Sequence, residues 1–266
     1  MGKLEELKEL YIGNTDIEEI PPCIGSLKKL EVLDAKGCKS LVGLPKSISH
    51  LINLSTLDLR GCSELCRLPE SIKSLVKLQR LSLEGVGISE VDCFHIPNSI
   101  GKLECYGISG LPSTVAKLGN LEQLDATRCE SLGREIPIDQ LSSFKILRLS
   151  STGISSFPTF NKLSHLEELN LYNCKMLESL PQTISKLPSL QQLELRSCDN
   201  LQSLLDLPVS LTVLGVTCQH CTLPQLSHLV HLKEFAIVDC RLLESLPKLP
   251  SGLLELHVHM STIVMS

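Results

Sequence analysis

The chain has 266 residues and a formal net charge of −5, and its composition is 42% hydrophobic but only 3% aromatic, with no Trp. The acidic balance argues against nucleic acid as a partner, because nucleic-acid-binding domains present a basic face. No apolar run approaches the ~20 residues of a membrane span. We therefore expect neither nucleic acid nor a membrane among the partners. A core with so few aromatic residues indicates many similar leucine-sized packing sites.

A repeated pattern organises the whole chain. Residues 51–75 and 163–187 both fit the frame LxxLxxLxLxxCxxLxxLPxxIxxL. The second apolar residue of each LxL pair recurs every 20 to 24 residues and sets the register. These anchors are Ile12, Ala35, Leu59, Leu83, Leu103, Ala126, Leu149, Leu171, Leu195, Val216, Ile237 and Val258. They predict twelve short strands.

The frame matches the leucine-rich-repeat pattern in its apolar positions. The LxL alternation has the two-residue period of a strand, so its leucines point inward. Pro ends the turn after the strand, and the following xxIxxL spacing suits one helical turn. We therefore predict an α/β leucine-rich-repeat solenoid. It would have a curved parallel sheet of about twelve short strands, with turns and short helical segments on the convex side.

The fifth predicted strand, anchored at Leu103, is the weakest. Asn98 and Gly101 occupy positions where the frame places leucine, and the repeat before them lacks an LPxxI segment. We therefore interpret residues 1–266 as a single repeat array that is irregular near 92–107. Stacked repeats bend or open at a weakly packed segment of this kind.

Six of the twelve cysteines recur at one position of the repeat: Cys38, Cys62, Cys129, Cys174, Cys198 and Cys240. One position in successive repeats forms a column, which suits buried thiols better than disulfides. The N-terminal residues also lack the apolar segment of a secretory signal peptide. Together these features predict reduced thiols and a location in the cytoplasm or the nucleus.

Two histidine-containing patterns invite a metal hypothesis. Cys218 and Cys221 form a CxxC pair ahead of His228 and His231, but the frame places these side chains on different sides of a thin solenoid. His257 and His259 share one strand face, but no third ligand accompanies them. No nucleophile–base pair can be identified either. We therefore expect no metal, no cofactor and no enzymatic activity.

The exposed face of the strands is the candidate binding surface. Its residues differ from repeat to repeat while the leucine frame stays fixed, and solenoids bind partners through such concave ladders. A solvated surface without function is the alternative interpretation. The candidates are Tyr11, Asp34, Lys36, Asp58, Arg60, Asp125, Arg148, Asn170, Tyr172, Glu194 and Arg196. Tyr and Arg are enriched in binding hot spots, so those residue types lead the set.

Two kinds of repeat alternate in the chain, one with C-x-x-L and a shorter one with T-x-I, as in Thr15–Ile17 and Thr152–Ile154. Followed along the chain by LPxSIxxLxxL, the two kinds of repeat resemble the repeat region of plant intracellular nucleotide-binding leucine-rich-repeat receptors. The branch with an N-terminal TIR domain is most similar. Residues 27–75 carry the resemblance best, and 246–261 look like the short repeats that close such arrays.

That resemblance implies binding of a pathogen effector or a guarded host protein. It also implies that the array restrains the receptor's nucleotide-binding domain until something binds. The sequence contains no GxxxxGK[ST] motif, so nucleotide binding is not carried over to these residues. TIR activity is not carried over either, because the repeats leave no room for a TIR domain.

Two other classes of protein share parts of the pattern. An intracellular scaffold of the Ras-associated type also has LPxxIxxLxxL, but it keeps a stricter repeat length and an Asn in place of Cys. The substrate-recognition arm of a ubiquitin ligase also uses Cys-containing repeats, but it carries an adaptor-binding helical segment. Both remain alternatives to the receptor hypothesis.

Overall fold

A computed structural model describes residues 4–65, 68–86, 118–129, 132, 142–157, 159–204, 206–217, 223–239 and 246–259. These residues contain eleven strands, which form one parallel sheet in chain order. The strands are β1 (Glu9–Tyr11), β2 (Val32–Asp34), β3 (Thr56–Asp58), β4 (Arg80–Ser82), β5 (Gln123–Asp125), β6 (Ile146–Arg148), β7 (Glu168–Asn170), β8 (Gln192–Leu195), β9 (Val213–Thr217), β10 (Glu234–Val238) and β11 (Glu255–His259). At ~4.8 Å per strand the sheet is about 50 Å long.

The strands form because each LxL pair buries its leucines on one side of the sheet. In β2, Leu33 is buried while Val32 and Asp34 are half exposed. The three-residue strands centre two residues before the predicted anchors, so the anchor follows the strand. Its backbone still pairs with the next repeat, as when the Ile12 N–H donates to the Asp34 carbonyl at 2.8 Å.

The convex side carries short helices where the sequence has LPxxI or, at residues 20–24, IPPCI. Within the described residues, four 3₁₀ helices span Pro22–Ser26, Lys46–His50, Glu70–Ser74 and Gln182–Lys186. A proline in the extended conformation precedes each helix, and the isoleucine of the motif is buried. Proline fixes φ and starts the turn, and the isoleucine then anchors it to the core. The predicted convex turns are therefore confirmed.

The core is a single continuous column between the sheet and the convex turns. It is filled chiefly by leucine, and the buried aromatic side chains Phe144, Phe160 and Phe235 replace leucine-sized groups in three repeats. Each repeat contacts its neighbours and buries its apolar face against them. The predicted solenoid of short parallel strands is confirmed.

The predicted position of the fifth strand needs correction. Strand β4 pairs directly with β5, with Leu81 opposite Leu124 and Ser82 opposite Asp125. The Leu83 N–H also donates to the Asp125 carbonyl at 2.6 Å. A strand anchored at Leu103 therefore does not lie between them, because each strand has only two hydrogen-bonding edges. Leu103 itself and the predicted irregular segment 92–107 lie outside the described residues.

A column of left-handed backbone follows the strands. The residue two positions after the anchor has a positive φ of 54 to 72° in nine repeats: Asn14, Gly37, Gly61, Gly85, Arg128, Ser151, Asn173, Ser197 and Asp239. Its N–H extends the ladder, as when Gly37 donates to the Arg60 carbonyl at 2.7 Å. Glycine suits this conformation, and the other residues adopt it at some cost. This column turns each of these nine repeats from the sheet towards the core.

Among the described residues, no helix is long and apolar enough to cross a bilayer.

Candidate functional site

The candidate site is the concave face, formed by the side chains that alternate with the buried leucines. It has three columns: one residue before each LxL pair, the residue within it, and the residue after it. The structure places the predicted candidates in the second and third columns. It adds the first column, which includes Glu9, Glu168 and Glu234 and was not predicted from the sequence.

The acidic and amide candidates have a structural role besides exposure. In five repeats, the side chain within the LxL pair accepts a hydrogen bond from the backbone N–H two residues later, at 2.8 to 3.0 Å. The acceptors are Asp34, Asp58, Asp125, Asn170 and Glu194. Such bonds satisfy an N–H where the strand ends. The residue types at these positions are therefore constrained by the geometry of the turn, and not by solvent or a partner alone.

Arg60 and Arg148 are fixed by carboxylates. Arg60 Nε donates to both oxygens of Asp58 in the same repeat, at 3.0 Å each. Arg148 reaches across to Glu168 of the next repeat, with Nε–Oε1 at 2.7 Å and Nη2–Oε2 at 2.9 Å. Each hydrogen-bonded carboxylate raises the pKa of its arginine above the usual value. Both guanidinium groups therefore stay charged and oriented on the face.

Tyr172, Arg196 and Glu194 form one ordered group on the face. Arg196 donates from Nε and Nη2 to Glu194, with Nη2–Oε2 at 2.7 Å. Its Cζ lies 6.0 Å from the centre of the Tyr172 ring, within cation–π range. Glu194 raises the pKa of Arg196 above its usual value. We call Tyr172, Glu194 and Arg196 the β7–β8 ridge.

Gly215 on β9 makes room for this ridge. A Cβ added there would lie 2.5 Å from Glu194 Oε1, so the Glu194 carboxylate would have to shift. The Glu194 carboxylate therefore occupies the space that a side chain at position 215 would take. Sequence reasoning missed Gly215, although a glycine within an LxL-type pair is a usable signal of close approach.

The remaining candidates lie near the N-terminal end of the array. Tyr11 is 63% exposed on β1, and its hydroxyl donates to Glu9 Oε2 at 2.9 Å. That hydrogen bond raises the pKa of Tyr11 above its usual value. Lys36 is exposed beside β2. Tyr11 and the β7–β8 ridge are about seven strand spacings apart, roughly 34 Å, so they do not form one pocket.

The predicted cysteine column is buried as expected in five repeats. Each thiol donates to the carbonyl of the anchor residue in the preceding repeat, at 3.0 to 3.2 Å. The five are Cys38, Cys62, Cys129, Cys174 and Cys198, and none is disulfide-bonded. Burial raises the pKa of Cys62 to about 11 and of Cys129 and Cys198 to about 12. Such thiols are protonated at neutral pH and make poor nucleophiles. Cys240 lies outside the described residues.

The two metal hypotheses fare differently. Cys218 and Cys221 lie outside the described residues, and His228 is exposed with Nε2 3.3 Å from the Leu207 carbonyl. His257 and His259 are exposed on β11, and His257 contacts Glu255 at 3.3 Å. Across the part of the chain that the structure describes, no three His, Cys, Asp or Glu side chains converge to hold a metal ion.

The sheet, the convex turns and the cysteine column define the class of protein: the chain is a leucine-rich-repeat solenoid. Two family models match it, one described as a leucine-rich repeat region over residues 1–104 and one as R13L1/DRL21 leucine-rich repeats over 136–198. Both describe repeat regions and neither is catalytic. Repeat solenoids of this kind act by recognising other proteins.

Among curated proteins, the chain is similar to Protein SUPPRESSOR OF npr1-1, CONSTITUTIVE 1 of Arabidopsis thaliana. The two are 40% identical over 98 residues, which is 34% of this chain and 7% of that protein. The chain therefore matches only a small part of its relative.

Two solved structures share the fold. A leucine-rich-repeat protein of Leptospira interrogans superposes with a TM-score of 0.64 at 23% identity, over 97% of this chain and 73% of that one. The leucine-rich repeat domain of the type III effector XopL gives a TM-score of 0.63 at 29% identity, over 79% of this chain and 68% of that one.

Proposed function

We propose that this chain is the protein-recognition array of a plant intracellular immune receptor of the nucleotide-binding leucine-rich-repeat type. On its concave face it binds a pathogen effector or a host protein, and through the same array it restrains activation of the receptor. The two kinds of repeat resemble those receptors, and the similarity to an Arabidopsis thaliana protein over 98 residues supports the plant assignment.

The observation that carries the binding proposal is that ion pairs hold charged side chains of the concave face in fixed orientations. Arg60, Arg148 and Arg196 each form an ion pair with a nearby carboxylate. Their side chains nevertheless remain 37 to 41% exposed. Side chains that are oriented before binding lose less entropy when a partner docks. Arg and Tyr are also the residues that dominate binding energy at interfaces. The β7–β8 ridge is therefore the centre of the proposed binding surface.

The test is capture of a partner from plant tissue with three forms of the chain, followed by measurement with the purified partner. The concave variant carries Tyr172→Ala and Arg196→Ala, and the convex control carries Lys46→Ala and Glu70→Ala on exposed helix positions. We expect wild type and the convex control to bind equally and the concave variant at least tenfold more weakly.

The identity of the partner separates the receptor hypothesis from the alternatives. A pathogen effector, a guarded host protein or a receptor nucleotide-binding domain supports it. A Ras-type GTPase would indicate a scaffold, and a ubiquitin-ligase adaptor would indicate a substrate-recognition arm. Equal binding by the concave variant, whatever the partner, would refute the location of the site.

A further inference from the structure

An open groove of about 350 Å³ lies where the chain passes from the convex turns into strands β8, β9 and β10. Two rows of side chains from three successive repeats line it. The first row directly precedes the strands and contains Gln191, Thr212 and Lys233. The second row lies two residues earlier in each repeat and contains Ser189, Ser210 and His231. We call this cavity the β8–β10 groove.

His231 breaks the hydrogen-bond pattern of its row. Ser189 Oγ donates to the Ser164 carbonyl of the preceding repeat at 2.9 Å, and Ser210 Oγ donates to the Leu190 carbonyl at 2.7 Å. His231 takes the next place in this row, but within the described residues its ring has no hydrogen-bond partner. The ring therefore keeps an N–H donor for a ligand in the groove.

Lys233 likewise lacks the carboxylate that pairs with the other lysines of its row. Lys8 Nζ lies 3.3 Å from Glu31 Oε1, and Lys145 Nζ lies 3.0 Å from Glu122 Oε2. Lys233 forms no ion pair with any described residue, since a threonine and a leucine flank it in the row. No residue that lines the groove carries a carboxylate. The groove is therefore locally positive in a chain whose net charge is −5.

A second groove, in the N-terminal repeats, shows that this charge is not common to the whole array. It measures about 460 Å³ and is lined by the corresponding two rows, including Glu31, Asn53 and Lys77. Here Lys77 Nζ donates to Asn53 Oδ1 at 2.8 Å, and a carboxylate shares the lining. The positive groups of this groove already have polar or acidic neighbours.

The β8–β10 groove also has an apolar rim. Pro188 lines it, and Val209 and Val230 hold the same place in the next two repeats, one residue before Ser210 and His231. Val209 is 60% exposed and Val230 is 64% exposed. A ligand that fits both parts carries an anionic group beside an apolar one, as a peptide with an acidic and an aliphatic side chain does.

We propose that the β8–β10 groove binds an acidic peptide segment of a protein partner. An oxyanion of that segment, either a carboxylate or a phosphate monoester, accepts hydrogen bonds from His231, Lys233 and the Gln191 amide. The Thr212 hydroxyl already donates to the Gln191 carbonyl at 3.1 Å, so it adds no donor. An aliphatic side chain next to the oxyanion contacts Val209 and Val230.

This site precedes the strands and is separate from the concave β7–β8 ridge. It therefore does not depend on the proposed function, and the concave variant should bind the acidic peptide like wild type.

The test is a nuclear magnetic resonance titration of the full 266-residue chain with three blocked tripeptides, in which two leucines flank glutamate, phosphoserine or serine. We expect the glutamate or the phosphoserine peptide to shift the His231 ring resonance saturably in the millimolar range, and the serine peptide to leave it unchanged. Tighter binding of the phosphoserine peptide would assign a phosphate monoester as the source of the oxyanion. Equal or tighter binding of the glutamate peptide would assign a carboxylate.

Substitutions locate the site, and His231 remains as the reporter. Lys233→Gln should weaken binding of the acidic peptide about tenfold, because it removes a charge-assisted hydrogen bond. Lys77→Gln is the matched control, since it removes the same charge from the N-terminal groove and should leave binding unchanged. Val230→Ser should weaken binding severalfold through loss of the apolar contact. Lys233 and Val230 are exposed, so the urea midpoint should change little in either variant.

Three results would overturn the proposal. The first is an unshifted His231 resonance with both acidic peptides, or an equal shift with the serine peptide. The second is equal weakening by Lys233→Gln and Lys77→Gln, which would show only a general charge effect. The third is binding to phosphatidylserine vesicles in place of the peptides, which would assign the groove to a membrane surface.

Discussion

The cysteine column makes a quantitative prediction about stability, and Cys198→Ala tests it. Cys198 is 1% exposed, and its thiol donates to the Leu171 carbonyl at 3.1 Å. Removing the sulfur from a packed core costs about 1 kcal/mol. The Leu171 carbonyl keeps its bond from the Cys174 N–H at 3.2 Å, so the lost hydrogen bond adds only about 0.5–1 kcal/mol. We expect destabilisation by about 1.5–2 kcal/mol.

The assay is urea unfolding followed by circular dichroism, with Cys23→Ala as the control because Cys23 is exposed. That control should change stability by less than about 0.5 kcal/mol. Cys198→Ser separates the two contributions, since a hydroxyl keeps a donor but loses the apolar sulfur. If serine costs less than alanine, the hydrogen bond dominates; if it costs as much or more, burial dominates. Equal midpoints for Cys198→Ala and Cys23→Ala would refute the structural role of the column.

Two further predictions concern protonation and the ridge. At pH 8 a thiol reagent should modify Cys23 rapidly and Cys62, Cys129 and Cys198 only on unfolding, because burial raises their pKa values to about 11 or 12 from 9.0. A thiol whose pKa is higher in the folded than in the unfolded state contributes fully to the free energy of unfolding below pH 9. This contribution is lost as the pH rises towards 12. A flat stability profile from pH 9 to 12, or fast native modification of the column, would contradict this. Gly215→Ala should displace Glu194 and release Arg196, which a shift of the Arg196 Nε–H resonance would report. The control is Gly119→Ala, where an added Cβ meets nothing within 4 Å; it should leave that resonance unchanged. An unshifted resonance in Gly215→Ala would show that Glu194 does not lie over the glycine.

The periodic part of the fold could be predicted from the sequence alone. A leucine at the same offset in every repeat has the same neighbours in every repeat, so the local pattern already contains the information on burial. This is why Leu33, Leu57 and Leu81 align in one row, and why the cysteine position was correctly predicted to be buried. The LPxxI turns follow for the same reason, since proline and isoleucine act within a few residues of each other.

The structure places the candidate residues on the concave face, but the side chains that they pair with were not predictable from the sequence. Arg60 and Arg196 bond to acids two residues earlier, whereas Arg148 bonds to Glu168, twenty residues later in the chain. Which partner an arginine takes depends on the side chains that the neighbouring repeat presents beside it. That choice is made across the sheet, so no local pattern encodes it.

The direct pairing of β4 with β5 and the contact between Glu194 and Gly215 were likewise decided by the tertiary structure. The spacing of apolar residues allowed a strand at Leu103, but the hydrogen bond from the Leu83 N–H to the Asp125 carbonyl joins repeats that are more than forty residues apart. Gly215 matters only because Glu194 of the preceding repeat lies over it. A repeating sequence fixes what every repeat has in common, because those contacts are the same each time. Contacts made at only one place in the array depend on which repeats become neighbours, and that is settled only when the solenoid stacks.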